Sequence, residues 1–212
     1  MYEVNRFRMK RGKRLAAWIT ARAAKLGHAV EILDVGGRPS FWENVVCDAI
    51  DTIHVLNLES TESLKRPANY KFNFLIGDAT ELTDIETESF DIYHSNSVIE
   101  HVGSWQEMLK FASEARRVAC NGWVQTPAYE FPIDPHLRTP FVHWLGTPTR
   151  RRLMRNPPWL KDRSLSGRRA YADTINLVSR AEFRCLFSTE DIWTERVFGL
   201  PKSYVAYWSR GG

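Results

Sequence analysis

The chain has 212 residues, enough to bury one sizeable core, and its 43% hydrophobic and 25% charged composition excludes a disordered polymer. No apolar run approaches the ~20 residues needed to span a bilayer, and Met1–Arg14 lacks the apolar centre of a signal peptide. The formal charge of +4 conceals two basic blocks, residues 1–27 and 146–170, each net +7, which suggests a shared negatively charged neighbour.

Residues 14–26 place Leu15, Trp18, Ile19 and Leu26 on one stripe at helical spacing, and Gly27 supplies a stop. A basic helix therefore leads the chain. The Arg-rich, acid-poor start also has the composition of a mitochondrial presequence, against which Glu3 and the few hydroxyl residues count. Val30–Val35 reads as a buried strand that ends in an acid, Asp34, and a glycine pair, Gly36-Gly37. Glycine there lets a ligand lie against the turn backbone. Pro39 suits the first turn of a helix running through Trp42 towards Cys47.

Strands at Thr52–Leu56, Phe72–Ile76 and Phe90–His94 follow, then a helix over Ser104–Val118 with Trp105, Met108, Leu109 and Ala112 at inward-facing intervals. Gly122–Gln125 reads as a fifth strand. Thr126–Trp144 is rich in Pro, His and aromatics, and Arg150–Arg169 is a basic insertion. Ser179 caps a short helix through Phe187, with Glu182 in capping-box position. Two closing strands, Trp193–Phe198 and Ser203–Trp208, are joined by Gly199–Lys202 and predict an antiparallel pair. The order describes an α/β fold with a mostly parallel sheet and one reversed strand. One domain over residues 1–212 is expected, with 1–27 as the leading helix and 127–170 as a substrate-side lid. Cys47, Cys120 and Cys185 are odd in number and far apart, which predicts reduced, buried thiols in a cytoplasmic protein.

The chain resembles the class I S-adenosylmethionine-dependent methyltransferases, particularly their small type 11 domains, over roughly residues 28–126. Ile32-Leu33-Asp34-Val35-Gly36-Gly37 stands where that family has its first motif, Gly77-Asp78-Ala79 at its adenine-contacting turn, and Phe90–His101 at its fourth-strand motif. The resemblance implies a Rossmann-like three-layer sandwich with a seven-stranded sheet, and S-adenosylmethionine as cofactor with S-adenosylhomocysteine as product. It implies that Asp34, Gly36 and Gly37 pack around the methionine part and that Asp78 and Ala79 address the adenine. Ser95 and Asn96 would offer backbone polar groups at the methionine end. An acid after the second strand would hold the ribose. Asn57 occupies that position here and Glu59 lies two residues on; Glu59 is favoured. Arg38-Pro39-Ser40 replace the further glycines common in the family, a change that obstructs a dinucleotide pyrophosphate more than a phosphate-free methyl donor.

The segment after the fifth strand lies where open α/β sheets bind ligands. Its prolines stiffen it, so it is read as a substrate wall carrying His136, Arg138 and His143. His136 is the first candidate for a general base and His101 the second. Tyr93, Gln125 and Tyr129 are candidate orienting groups. The leading expectation is O-methylation of a small-molecule or glycan acceptor, lipid-linked or otherwise anionic, with the basic and aromatic insertion resting on an anionic membrane surface. An RNA methyltransferase gripping phosphates through the basic blocks is the second reading. A methyltransferase fold kept as a binding scaffold is the third. Asn156-Pro157-Pro158-Trp159 matches an amino-methylating motif but lies in the insertion rather than after the fourth strand. No metal site is expected, because the histidines lack ligand spacing and the acids are dispersed.

Overall fold

Central strand β1 (Val30–Val35) is buried at every position except Glu31, the pattern of a strand covered on both faces. It pairs in parallel with β2 (Ile50–Asn57) on one side and β4 (Phe90–Asn96) on the other, and β2 pairs with β3 (Lys71–Ile76). With β5 (Ala119–Pro127), β6 (Asp191–Val197) and β7 (Leu200–Ser209), these make a seven-stranded sheet of order β3-β2-β1-β4-β5-β7-β6. It is mostly parallel, with antiparallel pairing at the β5-β7-β6 end. The chain runs outward from β1 in both directions, so the carboxyl ends of β1 and β4 form a topological switch point. The computed structural model describes residues 6–136, 139–153 and 164–210.

By its internal contacts the chain divides into two units. The first comprises Met1–Asn96, Ser113–Val124 and Tyr207–Gly212; the second comprises Ser97–Ala112 and Gln125–Ala206. In the first, helix α1 (Arg6–Leu26) starts upstream of the expected position and buries Leu15, Ala16, Ile19 and Ala23. Leu26 is exposed: it lies in the last turn, beyond the buried stripe. The expected helix after Pro39 is a short 3-10 helix, Pro39–Asn44, which buries Trp42 completely. Gly122 on β5 is where the Trp208 indole packs, and a Cβ there would overlap the ring.

Helix α2 (Trp105–Val118) buries Met108, Phe111, Ala112 and Ala115, a stripe at i, i+3, i+4 and i+7. Trp105 and Leu109, expected inside, lie off that stripe and are 37% and 38% exposed. Three further helices belong to the second unit: α3 (Thr147–Leu153), α4 (Leu165–Asp173) and α5 (Arg180–Leu186). The Ser179–Glu182 capping box at α5 is present. Beside it, Glu130 accepts from the backbone N–H of Arg180 (2.8 Å) and from the Tyr204 hydroxyl (2.6 Å). Phe183 packs between Phe187 and Tyr204, with ring centroids 5.0 and 5.9 Å away. The last two strands join through Phe198-Gly199 alone, both at positive φ (48° and 82°), as a two-residue primed turn requires. Leu200, Pro201 and Lys202, expected in the loop, therefore belong to β7.

The thiols differ from expectation: Cys47 is buried, Cys120 half-buried and Cys185 exposed, and all three are free. Among the described residues no helix is long and apolar enough to cross a membrane. The Asn156–Trp159 motif lies outside the described residues. Gly122→Ala should lower unfolding free energy by about 1–3 kcal/mol through overpacking against Trp208, measured as an earlier urea midpoint with an unchanged slope.

Candidate functional site

At the switch point, Asp34 is fully buried and both its oxygens are engaged. Oδ2 accepts from the Trp42 indole N–H at 2.8 Å, and Oδ1 lies 2.6 Å from His94 Nδ1 on the paired strand. Asp34 therefore anchors the turn from beneath. It is not the cap of the following helix, whose N-cap residue is Arg38. Gly36 adopts φ 68°, and its N–H donates to Leu56 O at 2.8 Å. A Cβ on Gly37 would overlap the Asp34 carboxylate. The two glycines thus answer different demands: a left-handed backbone at the first, close approach at the second.

Asn57, at the end of β2, donates through Nδ2 to Gly37 O at 3.0 Å. The amide that replaces the family's usual acid thus braces the glycine turn. Glu59 is exposed, and its carboxylate makes no hydrogen bond or ion pair with any described residue. Asp78 forms an Asx turn, with Oδ1 accepting from the Thr80 N–H and hydroxyl, both at 2.8 Å. Ala79 beside it is half-buried. Leu58 and Ile76, at the ends of β2 and β3, are 73% and 70% exposed. The Ser95 hydroxyl donates to Val35 O at 3.1 Å, leaving Ser95 only its backbone for a ligand, while Asn96 is half-buried. A bare glycine turn, an uncommitted carboxylate and two uncovered apolar side chains along one row of strand ends fit an adenosyl ligand with a ring, a diol and no phosphate.

In the second unit, a polar cluster forms from segments far apart in sequence. Glu100 sits in a 3-10 turn, Ile99–His101, and is fully buried; its Oε2 accepts from the Thr126 hydroxyl at 3.0 Å. Its backbone carbonyl accepts from Asn176 N–H at 2.8 Å, which fixes the turn. Asp134 Oδ1 accepts from the backbone N–H of His136 and meets His136 Nδ1, each at 2.9 Å. His136 Nε2 then lies 3.1 Å from His101 Nε2 and 3.8 Å from Glu100 Oε1. Burial pushes the Glu100 carboxyl up to about 7. Loss of water around the His101 ring, followed by the positive charge of His136, holds His101 down at about 4. Burial works against a charged His136, but its bond to Asp134 and the charges of Glu100 and Asp134 outweigh it and raise its pKa.

His101 and His136, the two candidate bases, are thus brought into contact. The other substrate-side expectations fare differently. Tyr93 is fully buried in the first unit, and burial holds its phenol well above the usual range, which removes it from substrate contact. Gln125 is buried and accepts from the Ser97 hydroxyl at 3.2 Å. His143 is buried with Nε2 3.0 Å from Tyr129 O, to which Trp144 also donates, so it shapes the loop. Tyr129 is exposed; Arg138 lies outside the described residues. Asp134 and Thr126 were not singled out from sequence. The only signal for Asp134 was its place two residues before His136 among the prolines.

Comparison with known proteins agrees with this fold. Residues 41–123 match the family model described as "Methyltransferase domain". A search of curated proteins finds no match. Among solved structures, a putative Zn-dependent alcohol dehydrogenase from Rhodobacter sphaeroides aligns over 87% of this chain and 85% of its own, at 12% identity and TM-score 0.57. The small RNA methyltransferase HEN1 aligns over 96% of this chain and 25% of its own, at 16% identity and TM-score 0.56. The N-terminal domain of EvdMO1, in the presence of SAH and D-fucose, aligns over 99% and 85%, at 14% identity and TM-score 0.56. These likenesses establish the fold. With the match over residues 41–123, they support a class I S-adenosylmethionine-dependent methyltransferase that uses S-adenosylmethionine as cofactor.

Two substitutions separate anchor from ligand contact. Asp34→Ala should cost about 2–5 kcal/mol of stability by leaving Trp42 and His94 unpaired. Glu59→Ala should leave the melting temperature unchanged yet weaken S-adenosylmethionine about tenfold, or ~1.4 kcal/mol. Thermal melts and calorimetric titration check both.

Proposed function

We propose that the protein methylates a hydroxyl oxygen on a small-molecule or glycan acceptor carried on a lipid. The observation that carries this reading is the Asp134–His136 pair, with His101 and Glu100 against the outer nitrogen. The sulfonium methyl is already electrophilic, so the enzyme's task is mostly alignment of the attacking atom. A hydroxyl must lose its proton as it attacks, and an imidazole held by a carboxylate is suited to take it. An amine attacks through its own lone pair and has less need of such a group. On the cofactor side, the backbone at Gly36, Gly37, Ser95 and Asn96 would meet the methionine part, Glu59 with Asn57 the ribose, and Asp78 with Ala79 the adenine.

Support for a lipid-borne acceptor comes from the second unit, where Phe141, Trp144, Leu145, Leu153 and Leu165 are exposed and the same unit carries the run Arg150-Arg151-Arg152. Apolar side chains among cations suit an anionic interface. The D-fucose present with the EvdMO1 domain is a hydroxyl-rich sugar, in keeping with a glycan acceptor. HEN1 as a fold neighbour, together with the basic helix α1, favours RNA as the second reading.

Methyl transfer from labelled S-adenosylmethionine to glycan and lipid-linked acceptor pools should yield a methyl ether. His136→Ala should lower turnover about 100-fold or more with cofactor affinity nearly unchanged; equal turnover would remove His136 from the reaction. The protein should sediment with anionic vesicles and not with neutral ones. A labelled RNA product, with binding that falls steeply as salt rises, would install the second reading instead.

A further inference from the structure

The Glu100–His101–His136 cluster has more lone pairs than donors. The Asp134 carboxylate can only accept, so its 2.9 Å bond to His136 Nδ1 places a proton on that nitrogen. In the neutral ring this leaves His136 Nε2 as a bare acceptor, and it points at another imidazole nitrogen, His101 Nε2, 3.1 Å away. Glu100 adds a third acceptor: with Oε2 taken by Thr126, its fully buried Oε1 has no hydrogen-bond partner and lies 3.8 Å from His136 Nε2. A buried carboxylate oxygen without a donor is costly. One ligand atom from each of Glu100, His101 and His136 lies within 4.8 Å of the other two.

A small cation would resolve this arrangement. Nitrogen ligands bind Zn2+ at about 2.0–2.1 Å and carboxylate oxygens at about 2.0–2.2 Å, so neighbouring ligand atoms stand roughly 3–3.5 Å apart. The observed 3.1 Å between the two Nε2 atoms falls in that range, and the 3.8 Å to Glu100 Oε1 needs a contraction of a few tenths of an ångström. The surroundings are also those of a metal centre: Asp134 holds the far nitrogen of His136, as outer carboxylates commonly do for ligating histidines, fixing tautomer and ring orientation. Two imidazoles and one carboxylate suit a divalent transition cation and leave coordination positions open.

We propose that Glu100, His101 and His136 bind one divalent transition cation such as Zn2+, with Asp134 as the positioning residue for His136. Cation binding itself does not depend on which acceptor is methylated. Its role in catalysis rests on the hydroxyl-methylation reading: an oxygen bound at an open position would be acidified by the cation. His136 would then serve as a ligand, because a cation and an incoming proton compete for the same lone pair.

The test is calorimetric titration of chelator-stripped full-length protein with Zn2+, repeated with Co2+ while its visible absorption is recorded. Neither arm needs cofactor or acceptor. One cation per chain is expected, with a Co2+ spectrum altered by nitrogen ligation. His101 lies at an exposed position, so His101→Ala should leave the fold intact by thermal melting, yet lower affinity at least 100-fold. Asp134→Asn should weaken binding about 10–100-fold while Co2+ still binds in the same stoichiometry. Absence of saturable binding, or equal binding by His101→Ala, would overturn the site. A nitrogen acceptor found in the methylation assay would overturn the hydroxyl reading and leave this titration as it stands.

Discussion

A single buried carboxylate organises the first unit. Asp34 receives an indole N–H from the 3-10 helix that follows β1 and meets an imidazole nitrogen from β4, so three pieces of the fold are tied at one point. His94 is wedged between Phe41 and Trp42, with ring centroids 4.9 and 5.1 Å away. Burying a carboxylate is tolerable only because both oxygens have partners. The same carboxylate fills the space a side chain at residue 37 would need, so the chemical demand at Asp34 and the steric demand at Gly37 are one constraint. Asn57 closes the arrangement from β2 by holding the Gly37 carbonyl.

The second unit is governed by a different economy of polar groups. Asp134 holds both the backbone and the ring of His136, so the loop's most reactive side chain has its orientation set by a neighbour two residues away. Glu100 is pinned through Thr126 and Asn176, from two separate segments. Polar networks of this kind are stable only when nearly complete. The orphaned oxygens of Glu100 and Asp134 mark where this one is open.

Much of the sheet was legible because strands of this class announce themselves by continuous apolar runs. β1 was read to its final residue, and β2 to β4 within two residues. Helix faces were harder: periodicity placed α2 correctly but assigned Trp105 and Leu109 inward, since aromatic and leucine side chains weigh heavily in any stripe whether or not tertiary packing covers them. The Phe198-Gly199 turn was missed because Phe seldom adopts positive φ, and Pro201 drew the loop too far along the chain. Gly36, Gly37 and Asn57 were singled out through the family resemblance, while the duties of Asp34 could not be read, because Trp42 and His94 reach it only in the folded chain. The pairing of Glu100 and His101 with His136 joins residues 35 apart in sequence, beyond the reach of any local ligand-spacing rule.

The three thiols form a graded series that is a practical asset. Cys185, on α5, is exposed; Cys120 is half-buried, and burial and the nearby Glu88 raise its pKa; Cys47 is enclosed. Because alkylation requires an accessible thiolate, a maleimide at neutral pH would mark Cys185 ahead of the others. The native chain therefore carries its own labelling position on a single helix of the second unit, ready for a spectroscopic reporter without engineering.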